Sequence, residues 1–179
     1  MVHAMLIGLT AVAAMVQTPE TLAPGTVAVE PMAADGAPAA VRQIFAEAVE
    51  RALSDARFMA LPATSRSRYV ARIKLTRTAR GAVTSDEKEP RAAGGVGNWG
   101  AAVGVTLPSD KRQLRGLIVT ELEVEIVRRD GTGPAWRGRA LTAQAEGTRA
   151  DAPAVLAPKL AAAAIRGFPA QQTEAASIP

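Results

Sequence analysis

Two long alternating segments joined by a short turn restrict the fold of this chain more than any other feature. From Glu121 to Ile126, glutamates alternate with branched apolar residues, and Arg137 and Arg139 alternate with small residues after Trp136. A period of two is that of a β-strand with one buried face. The intervening segment, DGTGP at 130–134, is rich in turn formers. The sequence therefore predicts an antiparallel hairpin over residues 113–146.

The rest of the chain supplies shorter strands and two helices. Apolar residues recur at helical spacing from Val41 to Leu53, with charged residues off the stripe. A second helix is predicted to open at Asp151 and Pro153, with Pro158 in its first turn or at a kink. Short strands are predicted at 26–30 and 58–61, and a half-buried strand begins at Tyr69.

These elements predict an α+β fold with a mostly antiparallel sheet of four to five strands and two helices packed on one face. The length of 179 residues suits one domain, which we place at 26–168. Residues 79–112 are a polar, glycine-rich excursion that contains a predicted flap at 84–112. Residues 169–179 are predicted to form a disordered tail.

The amino-terminal residues have the pattern of a secretory signal peptide. Met5–Val16 is a run of apolar and small residues with one threonine, too short for a bilayer span of about 20 residues. Ala11-Val12-Ala13 supplies a small-x-small cleavage pattern. We expect a signal peptide at 1–17, a linker at 18–25, and a periplasmic or secreted protein with no transmembrane span after signal removal. The alternative is a buried first helix or strand of a cytosolic fold.

Residues 95–100, GVGNWG, have the G-x-G-x-x-G spacing of a dinucleotide-binding loop. That loop needs a strand before it and a helix after it, because the helix N-terminus holds the phosphate. Here charged, turn-like residues precede the glycines, and the following residues, with Gly104 and Pro108, form helices poorly. We therefore expect no nucleotide cofactor.

Three residues are the predicted contacts with a protein partner: Asn98 and Trp99 in the flap, and Trp136. An exposed tryptophan is a frequent anchor of protein interfaces. The alternative for Trp99 is packing back on the sheet, which would only fix the flap in place.

The ionisable residues do not form a recognisable catalytic pattern. The chain has no cysteine and one histidine, His3, and no serine lies in a nucleophile-elbow motif. We expect no enzyme activity, no metal and no other cofactor, and the absence of cysteine predicts that no lipid anchor is attached through one. Glu121, Glu123 and Glu125 share one strand face, and one interpretation is a carboxylate metal site. The alternative is cross-strand ion pairs with basic residues on neighbouring strands: Arg68, Arg72, Lys74, Arg137 and Arg139.

Two basic segments are the predicted contacts with an anionic surface. Arg66 and Arg68 precede a strand, and Lys111, Arg112 and Arg115 form the second basic segment. Together with a formal net charge of +4, they favour contact with an anionic polymer or lipid headgroups; the alternative is a solvated rim. Few aromatic residues interleave with them, so no nucleic-acid partner is expected.

The order of the motifs resembles that of small exported bacterial envelope domains. TVAVEPM forms a first strand, an amphipathic helix follows, and YVARI, the GVG excursion, L-x-V-x-I and W-x-G-x-A come in that order. Over residues 26–168 this layout resembles the periplasmic domains of the curli-secretion-channel and penicillin-binding-protein-activator type. The resemblance implies a non-catalytic α/β domain that works through protein contacts. The lipidated cysteine of many members is missing here.

The main hypothesis is an exported, non-enzymatic domain that serves cell-envelope assembly or maintenance through protein–protein contacts with an unknown envelope protein. The second hypothesis is a binder of an anionic envelope polymer or lipid headgroup through the basic residues. The third is a hydrolase with an unrecognised reactive serine.

Overall fold

The computed structural model describes residues 22–33, 37–85, 113–131 and 133–179. The predicted signal peptide, Asn98, Trp99, Lys111 and Arg112 lie outside these ranges. Within them no helix is both long and apolar enough to cross a membrane. The elements are β1 (Thr26–Val29), α1 (Ala39–Asp55), β2 (Met59–Leu61), β3 (Tyr69–Ser85), β4 (Gln113–Arg128), β5 (Pro134–Ala145), α2 (Pro153–Ile165) and β6 (Ala176–Ser177).

The six strands form one mixed sheet in the order β2-β1-β3-β4-β5-β6. The predicted hairpin is confirmed, because β4 pairs antiparallel with β5 from Leu117 to Val127, and β3 pairs antiparallel with β4. The prediction of a mostly antiparallel sheet of four to five strands is wrong. β1 runs parallel to both β2 and β3, and β6 runs parallel to β5. α1 and α2 are crossovers that return the chain to the same end of the sheet, which makes the β1–β2 and β5–β6 pairs parallel. Residues 62–68 return the chain once more between β2 and β3.

Both helices pack on one face of the sheet, as predicted. The buried stripe of α1 includes Val41, Phe45 and Val49, and α2 buries Leu156 and Leu160 beside it. The facing sheet residues are Val27, Val29, Tyr69, Ala71, Ile73, Leu122, Val124, Ile126, Trp136 and Ala140. These side chains form one apolar core, and the opposite sheet face stays outside it.

The end of α1 has a capping geometry that usually requires glycine. The Phe58 N–H donates to the Leu53 carbonyl at 3.0 Å, and the Arg57 N–H donates to the Ser54 carbonyl at 3.0 Å. These are the two hydrogen bonds of the Schellman motif, which places the residue after the cap in the left-handed region. Arg57 occupies that position with φ 71°. A side chain there strains the backbone.

Chain segments outside the predicted domain are also ordered. Residues 169–179, predicted as a disordered tail, contain β6, and the Ile178 N–H donates to the Leu141 carbonyl at 3.0 Å. Gly25 of the predicted linker accepts a hydrogen bond from the Met59 N–H, and Leu22 is only 3% exposed. β3 continues to Ser85, past residue 79, where the predicted excursion begins. In each case tertiary hydrogen bonds order a segment whose sequence has no periodicity.

Thr120 and Thr142 face one another on adjacent strands and give a matched pair of variants. Both are 1% exposed. Gln144 donates to Thr142 Oγ1 at 3.0 Å, whereas Thr120 Oγ1 has no hydrogen-bond partner among the described residues. Thr120→Val is therefore expected to raise the free energy of unfolding by about 1 kcal/mol, and Thr142→Val to lower it by a similar amount. Urea unfolding measures both, and equal destabilisation would show that Thr120 Oγ1 has a partner.

Candidate interaction surfaces

Trp136 is not available for partner binding, contrary to the sequence prediction. It is fully buried, its Nε1–H donates to the Ala170 carbonyl at 2.9 Å, and its ring packs edge-on against Phe168 with a 5.6 Å centroid distance. The alternation on β5 predicts this burial of Trp136, because Trp136 shares a strand face with Ala140 and not with Arg137 and Arg139. Trp136 is a core residue.

The predicted basic contacts do not form one surface. Arg115 lies near the start of β4 and is 9% exposed. Its Nη1 donates to the Glu146 carbonyl at 3.2 Å. Arg66 and Arg68 are exposed and lie before the first residue of β3, which pairs with Arg128 at the other end of β4. Arg115 and Arg128 are 13 positions apart along the strand, or roughly 40 Å. Arg115 is therefore a structural residue distant from the exposed arginines.

The sheet face away from the helices carries a ladder of ion pairs. The Nε of Arg137 lies 3.0 Å from Glu123 and 2.9 Å from Glu125, and the Nε of Arg139 lies 2.8 Å from Glu121. The hydrogen bond to Glu125 raises the pKa of Arg137 further above its ordinary value. The ion-pair interpretation of the three glutamates is thus confirmed for β5, while Arg72 pairs with Glu30 instead. Within the described ranges no cluster of acidic residues or histidines is arranged to hold a metal.

A two-stranded arm extends beyond the body of the sheet. β5 stops pairing with β4 at Leu117, but β3 and β4 remain paired out to Ser85 and Gln113. A bulge between Ala79 and Ala82, with Gly81 at φ 122°, marks the base of the arm, because such irregularities bend and twist a strand. The Glu146 N–H donates to the Gly116 carbonyl at 2.7 Å and fixes that base to the body.

The arm presents an apolar side chain and an open backbone edge. Leu114 is 51% exposed, one of two strongly exposed large apolar residues in the described chain, with Met59. β1 pairs with β3 only as far as Ala71, and beyond it no described strand pairs with the outer edge of β3. That edge carries the exposed side chains of Arg72, Lys74 and Arg80. An open edge can accept a further strand.

A buried ion pair lies in the body next to the arm. Arg77 Nη2 donates to both carboxylate oxygens of Asp151 at 3.0 Å, and the two side chains are 12% and 3% exposed. The Gly147 N–H also donates to Asp151 at 3.2 Å. Burial raises the pKa of Asp151, while Arg77 and the Gly147 N–H oppose that shift. The pair connects β3 to the start of α2.

The end of the sheet opposite the arm is rich in arginine. Arg129 Nε donates to the Ser67 carbonyl at 2.9 Å and its Nη2 donates to the Ser65 carbonyl at 3.2 Å, so one guanidinium holds the loop before β3. Arg68 lies over the Tyr69 ring at 5.2 Å from its centroid. Arg66 is exposed on the same loop, and Arg128 ends β4 beside it. This arginine-rich set is called the basic end below.

An apolar cleft adjoins the basic end. It has a volume of about 470 Å³ and lies between the C-terminal ends of α1 and α2. Such a volume lies within the range of small-molecule sites. Phe168, on its wall, packs against Phe58 at 5.0 Å, and Phe58 packs against Tyr69 at 5.9 Å. The cleft is lined by Pro24, Ala52, Asp55, Ala56, Arg57, Ala162, Ile165, Arg166, Phe168 and Pro169.

The sequence contains no pattern that marks this cleft. Its alanines are indistinguishable from other helical alanines, and the cleft exists only because two distant helices end side by side. Arg57 is the nearest approach to a sequence signal, since an arginine stands where the end of a helix usually has glycine.

No protein-family model matches this sequence, and no curated protein matches it. Among solved structures, the chain is similar to a dodecamer of a PelC point variant from Paraburkholderia phytofirmans. The two chains are 14% identical, the match covers 83% of this chain and 88% of the PelC chain, and the TM-score is 0.42.

Proposed function

We propose that this chain is an exported, non-enzymatic domain that acts in cell-envelope assembly or maintenance through protein–protein contacts, and that the arm makes those contacts. The proposal places the protein in the periplasm or outside the cell, in line with the apolar run at Met5–Val16. The observation that carries it is the arm, a paired extension of β3 and β4 past the end of β5.

The arm has the features of a binding element. A two-stranded ribbon gains little stability from burial of its own side chains, so its length is not explained by the core. Its exposed Leu114 can act as an apolar anchor. The open edge of β3 offers backbone hydrogen bonds, and the exposed side chains of Lys74 and Arg80 along this strand favour an added strand that carries acidic residues.

Replacing the exposed anchor tests the proposal directly. In cells that make the tagged chain, a photo-crosslinking amino acid at Thr78, on the open edge of β3, is expected to capture one reproducible envelope protein. Leu114→Asp is expected to reduce that capture by roughly 30-fold, since losing an interface anchor costs about 2 kcal/mol or more. Mass spectrometry after cell fractionation measures it.

The matched control is Met59→Asp, which charges the other exposed apolar residue, on β2. It is expected to leave capture unchanged. Equal loss in both variants, or recovery of the chain from the cytosol with residues 1–17 still attached, would contradict the proposal. Trp99→Ala in the segment between β3 and β4 extends the same test to the predicted anchor there.

The alternative, binding of an anionic polymer or headgroup, keeps support only at the basic end. Arg66 and Arg68 are exposed there, whereas Arg115 is buried at the opposite end of β4.

A further inference from the structure

We propose that the cleft between the ends of α1 and α2 binds the acyl chain of an anionic phospholipid, whose phosphate is held by Arg57 and Arg166. The inference concerns a different surface from the arm and does not depend on it. It rests on the lining of the cleft, the charges on its rim and the backbone conformation of Arg57.

The lining suits an acyl chain. The walls consist of aliphatic and aromatic side chains from both helices and from the segments that flank them, with Ala52, Ala56, Ala162, Ile165 and Phe168 as members. Small alanines at the ends of the two helices leave the space between them unfilled. Transfer of an aliphatic chain from water to such a surface is favourable by about 0.8 kcal/mol per buried methylene.

The rim suits an anion. Arg57 and Arg166 line the cleft from different helix ends, and Asp55 lies on the same rim, which leaves one net positive charge. Neither arginine forms an ion pair with any described residue. Guanidinium groups bind phosphate with paired hydrogen bonds, and the neighbouring basic end would add attraction for an anionic membrane surface.

The helix ends themselves do not present a site for a cation. Helix C-termini attract cations through carbonyl groups that lack partners. Here six carbonyls of the last turns accept hydrogen bonds from backbone N–H groups or from the Gln172 amide. The carbonyls that accept these bonds belong to Ala52, Leu53 and Ser54 in α1, and to Ala162, Ala164 and Ile165 in α2.

The backbone of Arg57 is a second, independent observation. Its φ of 71° is left-handed, in a motif where glycine is the usual residue. Strain of this kind concentrates at functional sites. Since glycine at this position would relieve the strain, the strained Arg57 backbone supports a role for the arginine side chain in binding.

The test is calorimetric titration of the full chain with lysophosphatidylglycerol below its critical micelle concentration. One site per chain is expected. Glycerol 3-phosphate, which has the head without the chain, is expected not to bind. Lysophosphatidylcholine, which has a zwitterionic head, is expected to bind at least tenfold more weakly. Every variant keeps residues 1–21, so any binding by the apolar amino-terminal run is common to all.

Two sets of variants separate the cleft from general charge. Arg57→Gln with Arg166→Gln is expected to weaken binding at least tenfold, and Ala162→Phe, which fills the cleft, to abolish it. The control removes the same charge from the same helices away from the cleft, by Arg51→Gln with Lys159→Gln, and is expected to bind normally.

Arg57→Gly distinguishes a functional residue from a structural one. It is expected to raise the urea midpoint, because glycine relieves the left-handed strain, and to weaken lysophosphatidylglycerol binding. The proposal is overturned if wild type does not bind, if glycerol 3-phosphate or lysophosphatidylcholine binds as tightly as lysophosphatidylglycerol, or if the control and the arginine variants lose binding equally.

Discussion

Gly138→Ala is expected to lower the free energy of unfolding by more than about 3 kcal/mol, the upper end of the usual cost of overpacking. A methyl group at this position of β5 would overlap the Ala164 carbonyl of α2 and the ring of Trp136. Both neighbours are buried, and Ala164 can move only if α2 moves. For a chain of this size, that loss corresponds to a melting temperature lower by roughly 6–12 °C.

Gly133→Ala is the matched control for this prediction. Gly133 lies directly before β5, and a methyl group there would meet no atom within 4 Å. Its unfolding free energy is expected to change by less than about 0.5 kcal/mol. Thermal unfolding followed by circular dichroism measures both variants. A small effect at Gly138 would show that α2 does not approach β5 as closely as the structure has it.

The close approach at Gly138 also shows what the sequence predicts well. α1 and the β4–β5 hairpin are recognisable because their apolar residues recur with the period of the element itself. The same alternation places Gly138 and Trp136 on the helix-facing side. Their contact with Ala164 is not predictable in the same way, because the local sequences of β5 and α2 do not determine how closely the two elements approach.

The mixed sheet is not predictable from the sequence for a related reason. β6 consists of Ala176 and Ser177, a segment too short for periodicity, and its place depends on backbone hydrogen bonding to Leu141. Parallel pairing of β1 with β3 depends on the paths of α1 and of residues 62–68, and local sequence does not fix those paths. The predicted order of helices and strands is right as far as α2, while β6 is missed and the prediction of a mostly antiparallel sheet is wrong.

Exposed candidate residues are predictable from the sequence where they lie outside a strand. Arg66 and Arg68 lie outside the alternation and are exposed. Arg115 looks similar in sequence, but its burial follows from the hydrogen bond to Glu146 at the base of the arm. The cleft joins residues more than a hundred positions apart, such as Ala52 and Ala162, so composition and spacing carry no trace of it.

Breaking the Arg77–Asp151 pair is expected to be as damaging as overpacking at Gly138. Asp151→Ala removes the acceptor for both the Arg77 guanidinium and the Gly147 N–H, at a site where the Arg77 and Asp151 side chains are 12% and 3% exposed. Removing one member of such a pair costs about 3–5 kcal/mol. Urea unfolding at pH 7 is the measurement. The double variant Arg77→Met with Asp151→Leu removes both charges together and is expected to recover most of that loss.

Asp151→Asn separates the hydrogen bonds of this carboxylate from its charge. The amide oxygen still accepts from Gly147 and Arg77, so the loss at pH 7 is expected to be smaller than that of Asp151→Ala, although the negative charge beside Arg77 is gone. Burial raises the folded-state pKa of Asp151 above the ordinary value of about 3.9. A raised pKa means that the carboxyl group stabilises the fold most below about pH 3.9, and that this stability is lost as the pH rises through the folded-state pKa.

Asparagine does not titrate, so the free energy of unfolding of wild type minus that of Asp151→Asn is expected to fall as the pH rises from about 4 toward 7. A difference that grew over this range would place the folded-state pKa below the unfolded value, and attraction by Arg77 would then outweigh burial. The buried pair would in that case stabilise the base of the arm through its charge. If the difference falls with rising pH, as expected, the buried pair stabilises the base of the arm through hydrogen bonds that orient Arg77 and Gly147.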